Sequence, residues 1–331
     1  ERKEKMKREI IYLAIMAIGL LTMASCKDDV SLNDFSNKPE LVVYAFPSTA
    51  DTTYINVTRS LPVNKYSKDS DLVGISNATV TYYINGKEQA VVNRGDGYYY
   101  VVAKQKAGDK ISINVSAKGL SDAGGETVIP DSVPLGTAGL NKTRIYNSDY
   151  SEMQDCYQLS AEFTDPAETH DYYIPRIRLK CSGYNIDMET DDTLGIDTIN
   201  FYPNVNSQNE PLITTLSKID ADFGFSNDNL SGLCVFNDAT INGMTYKLHL
   251  NTEVYNPFYP QALSREYRIE LLHITPELYN FLNSLNAISN SDFAQHGLSQ
   301  VAPTASNVHG GFGIIAGWNI SRSNYVSVTE E

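Results

Sequence analysis

Cysteine is scarce in this chain, and its spacing excludes two common uses of the residue. Four cysteines occur among 331 residues, namely Cys26, Cys156, Cys181 and Cys234. No two form a C-x-x-C pair, so the sequence has neither a zinc knuckle nor a thioredoxin-type redox motif. If Cys26 is set aside, the odd number of remaining thiols leaves at least one unpaired in a monomer. Cys181 and Cys234 are a conceivable disulfide, but spacing does not fix the pairing.

Positive charge is also in short supply. The chain has 26 Lys and Arg against 40 Asp and Glu, a net charge of −14. Binding to nucleic acid needs clustered Lys and Arg against the phosphates. Adhesion to anionic lipid through a basic patch has the same requirement. The composition therefore predicts no nucleic-acid partner.

Residues with catalytic spacing are equally sparse. The five histidines show no H-E-x-x-H pattern: His170, His249, His273, His296 and His309. His249 and His273 lie in strand-like segments, where we expect sheet residues whose ring nitrogens are hydrogen-bonded. Cys156 also lies in a strand pattern, which favours a buried, inert thiol over a nucleophile. The sequence thus predicts a non-enzymatic protein without catalytic residues or cofactor. A hydrolase built from distant carboxylates stays an alternative, because such pairing is spatial.

One acidic run is a candidate for a cation site. Residues 187–197, "DMETDDTLGID", offer the carboxylate oxygens that Ca²⁺ prefers. The run lacks the alternating ligands, central glycine and terminal glutamate of an EF-hand loop. We therefore expect a solvated loop here and no metal site.

Long hydrophobic runs are absent except for one near the N-terminus. Residues 10–24 form an uncharged stretch that follows Lys5, Lys7 and Arg8. It is short for a membrane span, which needs about 20 residues, and typical of a signal peptide. Small residues at 24 and 25 then precede Cys26. We predict a signal peptide over residues 1–25, with Met6 as a candidate start.

The end of this segment, "MASC", resembles the lipobox of bacterial lipoproteins, although Met23 stands where leucine is commoner. In that resemblance Cys26 becomes the first mature residue and carries the lipid, palmitate included. Lys27, Asp28 and Asp29 resemble the surface-export signal of Bacteroidota lipoproteins. The resemblance implies anchoring in the outer membrane, with the protein facing the cell exterior. The alternative is a transmembrane anchor that ends at a chance cysteine.

The rest of the chain predicts a mainly β fold in two domains. Residues 26–38 are polar and aperiodic, as in a flexible tether. Residues 39–135 contain short alternating segments separated by turns, typical of an immunoglobulin-like β-sandwich. Asn85-Gly86 supplies the positive φ angles of a two-residue hairpin turn. Residues 136–331 predict a larger antiparallel β domain.

One docked helix is predicted near residues 275–287. Thr275 is the expected N-cap, and Pro276 occupies the first helical position. An apolar stripe with spacing i, i+3, i+4, i+7 would pack on the sheet: Leu278, Phe281, Leu282 and Leu285.

Glycine and aromatic residues near the C-terminus and in one early strand predict packing roles. Gly310, Gly311 and Gly313 would allow a tight bend and close approach of another backbone. Trp318 is expected to pack in the core. Tyr98–Tyr100 alternate faces on one strand, so at least one of them must point away from the first core.

Together these segments resemble a known family. The order of "ELVVYAF", "ISNATVTYYING", "FTDPAETHDYYI", "REYRIELLHITPELYNFLNSL" and "NVHGGFGIIAG" is similar to that of a large family of Bacteroidota outer-membrane lipoproteins of unknown function. Members are often encoded beside TonB-dependent transporters. The resemblance implies a non-catalytic binding or accessory component of TonB-dependent uptake, with an unknown ligand. A free-standing adhesin or glycan-binding module is the alternative.

Overall fold

The computed structural model describes residues 38–61, 73–147, 151–187, 190, 193–216, 233–258, 262–289 and 304–328. Of these, residues 39–60 and 73–328 belong to one compact unit. The predicted signal peptide, Cys26, residues 27–29 and nearly all of the tether lie outside the described residues. No helix in the described ranges is both long and apolar enough to cross a membrane.

Strands dominate the described residues, so the prediction of a mainly β fold is confirmed. In chain order the strands are β1 (Leu41–Ala45), β2 (Thr52–Arg59), β3 (Val73–Gly74), β4 (Thr79–Ile84), β5 (Lys87–Gln89), β6 (Val91–Gly95), β7 (Tyr98–Val102), β8 (Lys110–Ser116), β9 (Ala123–Val128), β10 (Gly139–Asn147), β11 (Glu152–Thr164), β12 (Tyr172–Ile186), β13 (Thr193–Phe201), β14 (Thr214–Thr215), β15 (Cys234–Asn237), β16 (Thr245–Glu253), β17 (Ala262–Ile274), β18 (Gly311–Ile315), β19 (Trp318–Arg322) and β20 (Val326–Ser327). The described helix, α1 (Pro276–Ser289), follows β17.

Two sheets enclose the first core. One has the order β18-β1-β2-β7-β6, with β3 paired to β2, and the other has the order β5-β4-β8-β9. Alternate residues of both sheets are buried between them, among them Val43, Ile55 and Ile113. This is the arrangement of a β-sandwich. The predicted hairpin turn joins β4 to β5, with φ angles of 51° at Asn85 and 78° at Gly86.

The tyrosine run of β7 shows the predicted alternation. Tyr99 is buried in the first core, while Tyr98 and Tyr100 are partly exposed on the opposite face. The Tyr99 hydroxyl donates to the Ile75 carbonyl at 2.6 Å. This bond satisfies a polar group that burial would otherwise leave unpaired.

Two further sheets enclose the second core. The smaller sheet has the order β10-β11-β16, and the larger has the order β14-β15-β12-β17-β19, with β13 paired to β12 and β20 to β17. Side chains from both sheets meet in this core, including Leu159, Phe163, Ile177 and Ile269. Strands β12 and β13 pair antiparallel at the edge of the larger sheet, with a register shift near Asn185.

Helix α1 docks as its apolar spacing predicts. Phe281 and Leu282 are buried, and Leu278 and Leu285 pack beside them against residues of β12, β17 and β18. The Thr275 carbonyl accepts the first helical hydrogen bond, from the Tyr279 N–H at 3.1 Å. Its hydroxyl, however, is buried without a hydrogen-bond partner among the described residues. Thr275 therefore occupies the N-cap position without the side-chain bond that usually stabilises that position.

The glycine-rich segment brings the end of the described chain back to its beginning. Strand β18 pairs in parallel with β1, and Gly313 lies opposite Val43. A Cβ on Gly313 would stand 2.0 Å from the Val43 carbonyl oxygen, and Gly313 has a φ of 109°. The predicted close approach of another backbone is therefore confirmed. The domain boundary near residue 135 stays a prediction, although β18 belongs to the first sheet.

Trp318 lies where β19 begins, and it is partly buried against the third hydrophobic cluster, around α1. Its indole Nε1–H donates to the Phe46 carbonyl at 3.1 Å. The side chain therefore packs at the margin of a core, with its polar atom hydrogen-bonded.

We expect Gly313→Ala to destabilise the fold strongly, because alanine adds both a backbone clash and an unfavourable φ. The loss should be about 3 kcal/mol in the free energy of unfolding. Gly86→Ala is the matched control, since Gly86 also has a positive φ but has no atom within 4 Å of a new Cβ. Its cost should be about 1 kcal/mol. Equal losses in urea denaturation would contradict the role assigned to the β1–β18 contact.

Candidate functional site

Three buried carboxylates meet where two turns approach each other. Asp165 follows β11, Asp171 precedes β12, and Asp238 follows β15. Each of these residues is at most 4% exposed, and one oxygen of each lies within 4.8 Å of the others. The connection from β11 to β12, which begins at Asp165-Pro166, thus contains two of the three acids.

Backbone and side-chain donors hold this acid cluster in place. Asp165 Oδ1 accepts from the Tyr173 hydroxyl at 2.6 Å, and its Oδ2 accepts from the Gly243 N–H at 3.2 Å. The Asp171 N–H donates to Asp238 Oδ2 at 2.9 Å, and the Asp238 N–H donates to the Asp171 carbonyl at 3.1 Å. The two turns are therefore joined by reciprocal bonds.

His273, on β17, is the basic partner of the cluster. Its Nδ1 lies 2.7 Å from the Asp131 carbonyl oxygen, and its Nε2 lies 2.8 Å from Asp171 Oδ1. A carbonyl oxygen only accepts, so Nδ1 donates to it. Nε2 lies at hydrogen-bonding distance from the Asp171 carboxylate. The expectation that His273 is a sheet residue with hydrogen-bonded nitrogens is confirmed, and neither nitrogen is left to activate a nucleophile.

The cluster shifts the pKa values of two of its acids in opposite directions. Burial raises the pKa of Asp165, and the nearby Asp171 and Asp238 raise it further. The hydrogen bonds from Tyr173 and Gly243 lower it, but by less than the other effects raise it. Burial also opposes ionisation of Asp171, but the hydrogen bonds from His273 and Thr169 outweigh it and lower the pKa of Asp171. The partners of Asp171 therefore stabilise its ionised form.

The acid cluster is spaced for a small cation, yet its oxygens already have protein donors. Asp171 Oδ2 accepts from the Thr169 hydroxyl at 2.7 Å, and Asp238 Oδ2 also accepts from Asn242 at 3.3 Å. Both oxygens of Asp165, both of Asp171 and one of Asp238 are engaged in this way. We therefore assign the acid cluster a structural role, in which it holds the turn after β11 against the turn after β15.

A second cluster surrounds Glu270 on the opposite face of β17. Glu270 is 1% exposed, and its carboxylate contacts three guanidinium groups. Arg176 Nη2 lies 3.1 Å from Oε2, and Arg268 Nε lies 3.0 Å from Oε1. Arg322 Nε lies 3.4 Å from Oε1, and the Tyr202 hydroxyl donates to Oε2 at 3.3 Å. Burial opposes ionisation, but the arginines outweigh it and lower the pKa of Glu270.

The three described cysteines are buried thiols, and Cys181 and Cys234 do not form a disulfide in this structure. Burial raises the pKa of the Cys156 thiol, and the nearby Glu253 and Asp155 add to that rise. Cys156 lines a pocket of about 330 Å³ with Arg144, Tyr157 and Val254. Its raised pKa favours the unreactive thiol form, in keeping with the prediction of an inert buried residue.

The remaining sequence candidates do not come together. His249 lies on β16 with Nδ1 3.9 Å from Glu210, His170 is exposed, and His296 lies outside the described residues. The described part of the acidic run 187–197 is exposed from residue 193 onward, as expected of a solvated segment.

Sequence reasoning missed both buried clusters. Each cluster draws on segments that are far apart in the chain, so no linear spacing connects all of its members. The only local signals were the Asp-Pro turn at residue 165 and the alternation of Arg176, Arg178 and Lys180 along one strand.

Comparison with known protein families identifies a match over most of the chain. A family model described as "Domain of unknown function (DUF4249)" matches residues 28–324. No curated protein matches significantly. One solved structure, titled "Enterococcal surface protein, partial N-terminal region", aligns at 7% sequence identity over 71% of this chain and 90% of that chain, with a TM-score of 0.18. A TM-score this low carries no argument about fold or function.

We expect Asp171→Asn to weaken the fold in a pH-dependent way. The folded-state pKa of Asp171 is lowered, so its contribution is present above the ordinary pKa of about 4 and is lost as the pH falls through the folded value. The variant should be less stable by about 1–3 kcal/mol at pH 7. That difference should shrink below pH 4.

The matched control is Asp122→Asn, at an exposed carboxylate, which should leave stability unchanged at both pH values. Urea denaturation of all three proteins at pH 7 and at pH 3 measures the effect. A loss for Asp171→Asn that is the same at both pH values would contradict a contribution from the ionised Asp171 carboxylate.

Proposed function

The chain belongs to the DUF4249 family of domains of unknown function, and we propose that it is a lipoprotein anchored in the outer membrane through acylated Cys26. The observation that carries this proposal is the sequence of residues 5–26: a basic edge, an uncharged run, two small residues and a cysteine. An acyl chain holds a folded domain at a membrane without a spanning helix.

The residues after Cys26 support an outward orientation. Lys27, Asp28 and Asp29 resemble the surface-export signal of Bacteroidota lipoproteins, and the polar stretch to residue 38 leads to the first described strand, β1. A polar segment of this length provides a spacer between lipid and fold. We propose that the two-core β structure is displayed at the cell exterior.

We further propose a binding role without catalysis, as an accessory component of TonB-dependent uptake. Two observations support binding over catalysis. Both ring nitrogens of His273 are engaged, and the Cys156 thiol is held in its unreactive form by burial. The accessory role rests on the family resemblance seen in the sequence.

Cys26→Ala should abolish incorporation of labelled palmitate and release the protein from the membrane fraction, because the acceptor thiol is gone. Cys156→Ala is the matched control, since it removes a buried thiol and should leave labelling intact. Radiolabelling and fractionation of cells that express each variant provide the measurement. Labelling of Cys26→Ala at the level of the unaltered chain would contradict the lipoprotein proposal.

Affinity purification from detergent-solubilised outer membranes tests the accessory role separately. The tagged chain should enrich a TonB-dependent transporter over a control purification with an unrelated lipoprotein that carries the same tag. Recovery of the chain with no transporter above that control would reject the accessory role and leave the anchoring proposal standing.

A further inference from the structure

The outer face of the seven-stranded sheet carries a row of cations on β12. Arg176, Arg178 and Lys180 alternate with the buried Ile177 and Leu179. Because successive side chains of a strand point to opposite faces, these three project away from the second core. All three are partly exposed.

The neighbouring strand β17 gives these cations different partners. The register sets them opposite residues of both signs, in the order Glu270, Arg268 and Glu266. The first and third pairs are attractive, and Lys180 Nζ lies 2.8 Å from Glu266 Oε2. The middle pair sets Arg178 against Arg268. Like charges directly opposite each other on a sheet are destabilising, since their Cβ atoms are only about 5 Å apart.

The two arginines of this middle pair differ in how far the protein satisfies them. Arg268 donates to Glu270 from Nε at 3.0 Å. The Arg178 guanidinium makes no hydrogen bond or ion pair within the described ranges, and it lies over the ring of Tyr202. A guanidinium has five N–H donors in a rigid fork, and those of Arg178 are free to meet a ligand.

Aromatic rings hold both guanidinium groups in place. The Arg178 Cζ lies 4.5 Å from the centroid of the Tyr202 ring, and the Arg268 Cζ lies 4.7 Å from that of Tyr325. Tyr202 follows β13 on one side, and Tyr325 precedes β20 on the other. The four side chains therefore form a row across the sheet, tyrosine-arginine-arginine-tyrosine. Stacking limits the positions of both forks, which lowers the entropic cost of binding an anion between them.

The surrounding charge favours an anion over a cation. Five cations share this face with two anions: Arg176, Arg178, Lys180, Arg268 and Arg322 against Glu266 and Glu270. This excess stands out in a chain whose net charge is −14. A local positive field raises the concentration of anions near the surface.

We propose that Arg178 and Arg268 form a binding site for an oxyanion group, a phosphate or a carboxylate of a ligand. The Arg178 fork matches two oxygens of such a group. A bound anion would also relieve the repulsion between the two guanidinium groups. This inference goes beyond the proposed anchoring and accessory role and does not depend on it.

Titration of the full chain, purified in detergent, with inorganic phosphate and separately with galacturonate tests the site. Isothermal calorimetry should detect binding of at least one probe, above any effect of sodium chloride at matched ionic strength. Arg178→Gln should weaken that binding about tenfold or more, the range expected for loss of a charged hydrogen-bonding partner. Binding of phosphate alone would assign a phosphorylated ligand, and binding of galacturonate alone would assign a carboxylated one.

Arg94→Gln is the matched control, since Arg94 is exposed on β6 in the other sandwich, and it should bind like the unaltered chain. Arg178→Lys keeps the charge but loses the fork, so it too should bind more weakly. Thermal unfolding separates binding from folding: Arg178→Gln should melt as the unaltered chain does without ligand and should lose the stabilisation by ligand. The proposal is overturned if neither probe binds, if sodium chloride reproduces the signal, or if Arg178→Gln binds as tightly as the unaltered chain.

Discussion

The parallel pairing of β1 with β18 is the contact on which the rest of the architecture depends. It adds a strand from the end of the chain to the first sheet, and it does so through glycines that let two backbones touch. The residues at and after the end of β18 then connect this sheet to the helix. Ile314 and Ala316 pack with Phe281 of α1, and α1 in turn covers part of the seven-stranded sheet. The C-terminal segment around β18 thus contacts both the first sandwich and the helix.

Local features were predictable because their causes are local. The Asn85-Gly86 turn follows from two residues that tolerate positive φ, and α1 follows from a proline at its start and a four-residue apolar stripe. The pairing of β18 with β1 was not predictable, because hydrophobic alternation identifies a strand but not its neighbour. The residue type at 275 predicted the N-cap position, but it did not predict that the Thr275 hydroxyl would be buried there without a hydrogen-bond partner among the described residues.

The sites likewise differ in whether their causes are local in the sequence or depend on the pairing of distant segments. An alternating run such as Arg176, Arg178 and Lys180 is visible in the sequence, but the charge opposite each member depends on the register with β17. The acid cluster likewise draws on turns after β11 and β15, which are far apart in the chain. Cys26 is the opposite case, since its predicted role depends on adjacent residues and on no fold at all.

The pairing of β18 with β1 also determines when the first sheet can complete its folding. A chain made from its N-terminus can form β1 and β2 early, but the other edge of β1 stays open until residue 311 has been made. An open strand edge exposes unpaired N–H and C=O groups and invites pairing with another chain. Contacts between such distant segments also slow folding. We therefore expect the first sandwich to complete its folding last, although most of its strands are synthesised first. The glycine-rich segment that follows α1 supplies the strand that completes its sheet.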